Sequence, residues 1–152
     1  MKHALIAALL GTSTLFASAP AFAQAKPEDV IKYRQGLYQV VGWQNRTMGS
    51  MVKGQAPFDA AEFSRAAEIV SLMAAVAPGA FAPGSDKGAP TRAKPEIWSD
   101  AAGFKKAMDT FQAESAKLAQ IAKGAKDVDA VRSQYGALVK SCGACHDNFR
   151  TK

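Results

Sequence analysis

The stretch from Asp127 to Arg150, DVDAVRSQYGALVKSCGACHDNFR, decides the reading of this chain. Val128, Val131, Tyr135, Leu138, Cys142, Cys145 and Phe149 follow one another at spacings of 3, 4, 3, 4, 3 and 4 residues, which holds them on one side of an α-helix. The pattern predicts a helix starting near Asp127 with both cysteines in its buried seam. The chain has no other cysteine, and His146 follows the second one directly. A Cys-x-x-Cys-His run can be a disulfide redox switch, half of a zinc site or a point of covalent haem attachment.

Compartment bears on that choice. Lys2 and His3 precede an apolar run, and Ala21-Phe22-Ala23 is the small-x-small pattern that a signal peptidase cuts after. The run is interrupted by Gly11, Thr12, Ser13 and Thr14 and falls short of the roughly 20 apolar residues that span a bilayer. Met1 to Ala23 is expected to be a cleaved signal peptide, leaving residues 24–152 as one exported domain, periplasmic in a bacterium and without a membrane anchor. Losing Lys2 and His3 leaves 18 basic and 13 acidic residues, and His146 as the sole histidine. The charges are interspersed, with no basic run suited to nucleic acid.

Three further helical patterns lie upstream. Pro27 to Lys53 opens with Pro27, Glu28 and Asp29, ends before Gly54, and carries Val30, Leu37, Val41, Met48 and Val52 on one stripe. Gly36, Gly42 and Gly49 recur along it and permit close approach by a neighbouring helix or a flat ligand. Asp59-Ala-Ala-Glu62 is a capping box flanked by Phe58 and Phe63, and this second helix is expected to stop at Pro78-Gly79. Ser99 is expected to cap a third helix, with Asp100 in its first turn and Phe104, Met108, Phe111, Leu118 and Ala122 on its apolar face. The segment Pro78 to Pro95, rich in proline and glycine, reads as a long crossover. No strand alternation is visible, so the fold class is all-α: an antiparallel four-helix bundle with a long crossover between helices 2 and 3, whose core is a usual place for a cofactor.

Zinc needs four N or S ligands, and this run offers three with none elsewhere in the mature chain. A thiol switch places its cysteines at a helix start beside a strand; here they lie near a helix end in a chain without strands. Haem attachment accounts for every position. Cysteines at i and i+3 face the same way, so both sulfurs can add to vinyl groups on one porphyrin edge, and a histidine at i+4 projects from the same face to ligate the iron. Export also fits, since c-type haem is attached outside the cytoplasm.

With Cys142-Gly143-Ala144-Cys145-His146 at the C-terminus of an exported bundle, the chain resembles the class II cytochromes c, and within them cytochrome c prime. The resemblance spans the mature chain and includes Lys26-Pro27-Glu28-Asp29, Tyr33-Arg34-Gln35, Val52 to Asp59 and Pro95 to Asp100. It implies one haem c per chain, thioether-bound to Cys142 and Cys145, with His146 as the only protein ligand to iron. It further implies Arg34 and Gln35 near a haem propionate, Arg150 on the proximal side, Trp98 packed near the haem, Tyr38 at the distal position, and a homodimer. Arg34 and Arg150 can also be read as solvated helix residues, and Trp98 and Tyr38 as plain core aromatics.

Two functions follow from that resemblance. One is a five-coordinate, high-spin haem that binds diatomic gases, nitric oxide and carbon monoxide, and passes one electron. The other is a six-coordinate, low-spin electron carrier closed by a methionine from among Met48, Met51, Met73 and Met108. Either serves an unidentified periplasmic redox partner, and neither requires an enzyme.

Overall fold

A computed structural model describes residues 25–152; the expected leader, Met1 to Ala23, lies outside the described residues. Helix α1 spans Pro27–Val52, with Pro27 at its start and Glu28 and Asp29 in its first turn, where carboxylates favour the positive end of the dipole. It ends ahead of Gly54, whose φ of 70° is a left-handed conformation that glycine adopts at little cost.

Helix α2, Ala60–Val76, begins as its capping box requires: the Asp59 side chain accepts from the Glu62 amide at 2.9 Å, a cap that contributes about 1 kcal/mol. The Phe58 and Phe63 rings pack with centroids 5.6 Å apart. Beyond Val76 the chain tightens into a 3-10 turn, Ala77–Phe81. Pro78 falls in the first turn of that segment, where a missing N–H costs nothing, so the apolar face continues past the expected stop at Pro78-Gly79.

The expected cap at Ser99 is corrected. Glu96–Ser99 forms a separate short helix, α3. Asp100 breaks the helix and caps the long α4, Ala101–Ala122, its carboxylate accepting from the Gly103 amide at 3.0 Å. A Cβ at Gly103 would collide with that carboxylate, so cap and glycine form one device. Helix α5, Asp129–Phe149, starts two residues beyond Asp127, whose side chain accepts from the amides of Asp129 and Ala130 at 3.1 Å each.

The four long helices form the bundle, α1 against α2, α2 against α4 and α4 against α5. The crossover leaves α2 and enters α4 at the end of the bundle where α1 begins and α5 ends. Met48, Phe63, Val70, Leu118, Val131 and Leu138 are almost fully buried, each large apolar side chain contributing about 1.5–3 kcal/mol. Tyr38, Phe81, Phe104 and Cys142 pack at the margin of this core. Near the α4–α5 turn, α1 and α5 are joined by Arg132 Nη1 donating to the Val52 carbonyl at 2.7 Å and by the Tyr135 hydroxyl donating to Asn45 Oδ1 at 3.0 Å. Among the described residues no helix is long and apolar enough to cross a membrane.

Candidate functional site

The 3-4 spacing of α5 carries Cys142 and Cys145 to the same flank of the helix, one turn apart, as half-buried free thiols. Burial pushes both thiols above their ordinary pKa, and for Cys145 the neighbouring Cys142 adds to it. A disulfide switch requires the opposite, a thiol depressed toward neutrality. These cysteines are therefore apolar, protonated groups presented toward the interior.

Tyr38 approaches them from α1. Its phenol is raised above its ordinary pKa first by burial and then by Cys145 and Cys142, with Arg34 opposing, so it stays protonated in the surroundings it shares with the two thiols. Its ring meets Phe81 edge-on at 6.2 Å; Phe81 meets Phe104 at 4.8 Å, and Phe104 meets Phe149 at 5.4 Å. This aromatic ladder ties α1, the 3-10 turn, α4 and the end of α5 together. Its members Phe81, Phe104 and Phe149 were not singled out as site residues by sequence. Phe81 sits in a crossover without periodicity, and the other two read as ordinary helix-stripe residues.

Trp98 is half-buried, and its Nε1 donates to the Phe81 carbonyl at 3.1 Å. It tethers α3 to the turn that presents Phe81 to Tyr38. Arg34 is buried, 5% exposed, rather than a solvated helix residue. Its guanidinium donates to the Ala80 carbonyl, Ser85 Oγ, the Ser85 carbonyl and Thr91 Oγ1, all at 2.9–3.0 Å, and stands 5.0 Å over the Phe81 ring. Burial lowers its pKa, Tyr38 opposing. Gln35 Nε2 donates to the Pro90 carbonyl at 2.9 Å. Together these two side chains pin the crossover to α1.

On α5, His146 is exposed, and Arg150 Nη1 lies 3.2 Å from both of its ring nitrogens. Partial desolvation, then Arg150 and Arg92, lower the His146 pKa, with Asp147 opposing. The imidazole is thus kept neutral, with a lone pair to donate. A groove of about 520 Å³ between α3, α4 and α5 is lined by Ser141, Ala144, Asn148 and Phe149 of α5 but by neither cysteine; it meets this arrangement only at Phe149, the end of the aromatic ladder. Two apolar thiols on one helix face, a neutral imidazole in the next residue and an aromatic wall from α1 and the crossover suit a flat group held covalently at its edge.

The family model described as Cytochrome C' matches residues 29–150. The chain belongs to the cytochrome c' family. The cytochrome c' of Alcaligenes xylosoxydans xylosoxydans is 43% identical over 128 residues, covering 84% of this chain and 98% of its own length. The crystal structure of cytochrome c' from Rubrivivax gelatinosus superposes with a TM-score of 0.79 at 39% identity, covering 83% of this chain and 98% of that one. Two solved structures of the Alcaligenes xylosoxidans protein, a ferrous variant with bound nitric oxide and a variant with bound carbon monoxide, each superpose with a TM-score of 0.76 at 41% and 42% identity, covering 84% of this chain and 98% of theirs. Covalent haem c is the cofactor of cytochromes c', and Cys142-Gly-Ala-Cys145-His146 is the attachment motif of this one.

Proposed function

We propose that this cytochrome c' is a periplasmic, gas-binding redox protein and not an enzyme, exported with cleavage behind Ala23 and working as a single haem-binding domain over residues 24–152. Cys142 and Cys145 hold the haem as thioethers, and His146 is the only protein ligand to its iron. The bound haem supplies an iron that takes up one electron and a diatomic ligand. The nitric oxide and carbon monoxide complexes of the Alcaligenes relative support those two gases here.

The observation that carries this reading is the half-buried Tyr38 ring at the core margin, its phenol raised above its ordinary pKa by burial and by the two nearby thiols. A neutral phenol is a poor ligand, and its bulk would occupy the distal side of a haem held by the two cysteines. Met48 and Met51 lie 10 and 13 residues further along α1, about 15 and 20 Å away at the α-helical rise, so neither would ligate an iron that lies beside Tyr38. Partial burial, then Arg150 and Arg92, lower the His146 pKa, and Arg150 would help orient the ring. Arg34 and Gln35 fix the crossover, from which they would stand toward a propionate of the bound haem, while Trp98 holds Phe81 against Tyr38.

Dimerisation through α1 and α2 belongs to the same reading. Val40 and Trp43 on α1 and Leu72 and Val76 on α2 are exposed at 40, 63, 59 and 47%, an apolar outer face that a second copy would cover. Electronic absorption and electron paramagnetic resonance of the purified holoprotein test the central point: a high-spin, five-coordinate iron is expected in both oxidation states near neutral pH. A low-spin, methionine-ligated ferrous spectrum would replace gas binding with the electron-carrier function.

A further inference from the structure

Helices α1 and α5 carry the two sides of the site, Tyr38 on one and Cys142, Cys145 and His146 on the other. They share few direct contacts, since α1 packs on α2 and α5 on α4. At the α4–α5 end they close on each other: the Tyr135 hydroxyl donates to Asn45 Oδ1 at 3.0 Å, and Arg132 Nη1 to the Val52 carbonyl at 2.7 Å. The approach is close because residue 49 has no side chain. A Cβ on Gly49 would stand 2.7 Å from the Tyr135 hydroxyl. Tyr135 is buried, and its ring meets that of Phe63 from α2 at 6.4 Å, which leaves it little room to swing aside. At the other end α1 is tied to α5 only indirectly. Arg34 binds the crossover through Ala80, Ser85 and Thr91, and the crossover is bridged to the end of α5 between Ala93 and Arg150. Tyr38 therefore stands on the stretch of α1 between two fixed points, 11 residues from Gly49, or about 16 Å along the helix.

We propose that Gly49 and Tyr135 are positioning residues for gas binding: their close approach sets the width of the seam between α1 and α5, and so how closely the Tyr38 ring is held over the haem. The inference rests on the reading above, in which Tyr38 stands on the distal side. A packed interior transmits displacement. A wedge at residue 49 would tilt α1 about its anchor at Arg34 and carry Tyr38 away from the cysteines of α5. Tyr38 lies 4 of the 15 residues from Arg34 to Gly49, so it moves by about a quarter of the shift at residue 49, as a point on a stiff rod does. The effect on gas entry is therefore smaller than that of removing the ring. A contact that served stability alone would leave gas entry unchanged.

The test follows carbon monoxide association with the ferrous holoprotein by stopped-flow through a double-mutant cycle. Gly49→Ala should accelerate association by about threefold, the scale expected of a displacement of a few tenths of an ångström relayed from a distance. Tyr135→Phe deletes the atom that the new Cβ meets, so Gly49→Ala/Tyr135→Phe should return to the rate of Tyr135→Phe alone. Leu118→Ala, on α4 and fully buried, is destabilising outside this contact and should react at the wild-type rate. The crystal structure of Gly49→Ala should show the Tyr38 and Cys145 Cα atoms further apart than in the wild type. A wild-type rate or an unchanged separation in Gly49→Ala would overturn the proposal. So would an acceleration that persists in the double variant or appears equally in Leu118→Ala. Failure of the underlying reading is separate: Tyr38→Ala would then bind carbon monoxide no faster than the wild type.

Discussion

The Tyr135 hydroxyl of α5 ends against Gly49 of α1, where a Cβ would stand 2.7 Å from it. Of the three glycines that recur along α1, this one lets a neighbouring helix approach; Gly36 has nothing within 4 Å of the same position. Gly49→Ala should therefore destabilise the protein by about 1–3 kcal/mol through overpacking. Gly36→Ala should be neutral or stabilising by up to about 1 kcal/mol, the gain in helix propensity. Urea unfolding of the two variants checks this, and equal stabilities would contradict the assigned contact.

The same hydroxyl makes stability depend on alkaline pH. It donates to Asn45 Oδ1 at 3.0 Å, and burial, then Cys142, raise its pKa; once Cys142 is a thioether, burial alone remains. A folded pKa above the unfolded value of about 10 means that the contribution is fully present below pH 10. It is lost as pH rises from there through the folded value. Wild type should exceed Tyr135→Phe by about 1 kcal/mol at pH 7, and the gap should close above pH 10. A gap that widened there would reverse the sign of the argument.

Sequence carried the helices well because their signals are local. The Asp59 cap and the seam of α5 depend on spacing alone: the cap stands, with the Glu62 carboxylate paired to Arg65, and the seam stands from Val131 to Phe149, with Val128 just ahead of the helix and both cysteines half-buried. The start of α4 was displaced because Ser99 and Asp100 are both good caps, and only the packing of α3 decides which one breaks the helix. What sequence could not show is how the crossover is held. Arg34, Ser85 and Thr91 meet across more than fifty residues, and no periodicity links them. The same holds for the Phe81–Phe104–Phe149 ladder and for the bridge between Ala93 and Arg150.

Arg34 is the anchor of that crossover, and its loss should be costly. Arg34→Met keeps much of the volume but leaves the Ala80 and Ser85 carbonyls without a donor. Uncompensated buried groups of this kind cost about 1–3 kcal/mol each, so a loss of about 3 kcal/mol is expected. Limited trypsin digestion should then cut the variant at Lys87 or Arg92 well before the wild type. Unchanged proteolysis would show that Arg34 does not hold the crossover.

On the proposed reading Tyr38 controls access to the iron, and two substitutions at it read that role in opposite directions. Its ring is held from one side by Phe81, at 6.2 Å edge to face, and Phe81 is in turn fixed by the bond from Trp98 Nε1 to its carbonyl and by the Arg34 guanidinium above it. If Tyr38 lies over the iron, a gas entering from this side would have to displace a ring that is braced and not merely present. Tyr38→Ala removes the obstacle and should accelerate carbon monoxide association with the ferrous protein by at least about tenfold, equivalent to about 1.4 kcal/mol of barrier, as measured by stopped-flow. Trp98→Phe keeps the ring of Tyr38 but loosens its brace, so a smaller acceleration in the same direction is expected. Tyr38→Met places a soft thioether where the phenol stood and should move the ferrous spectrum toward low spin. Carbon monoxide binding at the wild-type rate in Tyr38→Ala, together with a high-spin spectrum in Tyr38→Met, would place Tyr38 in the core and not over the iron.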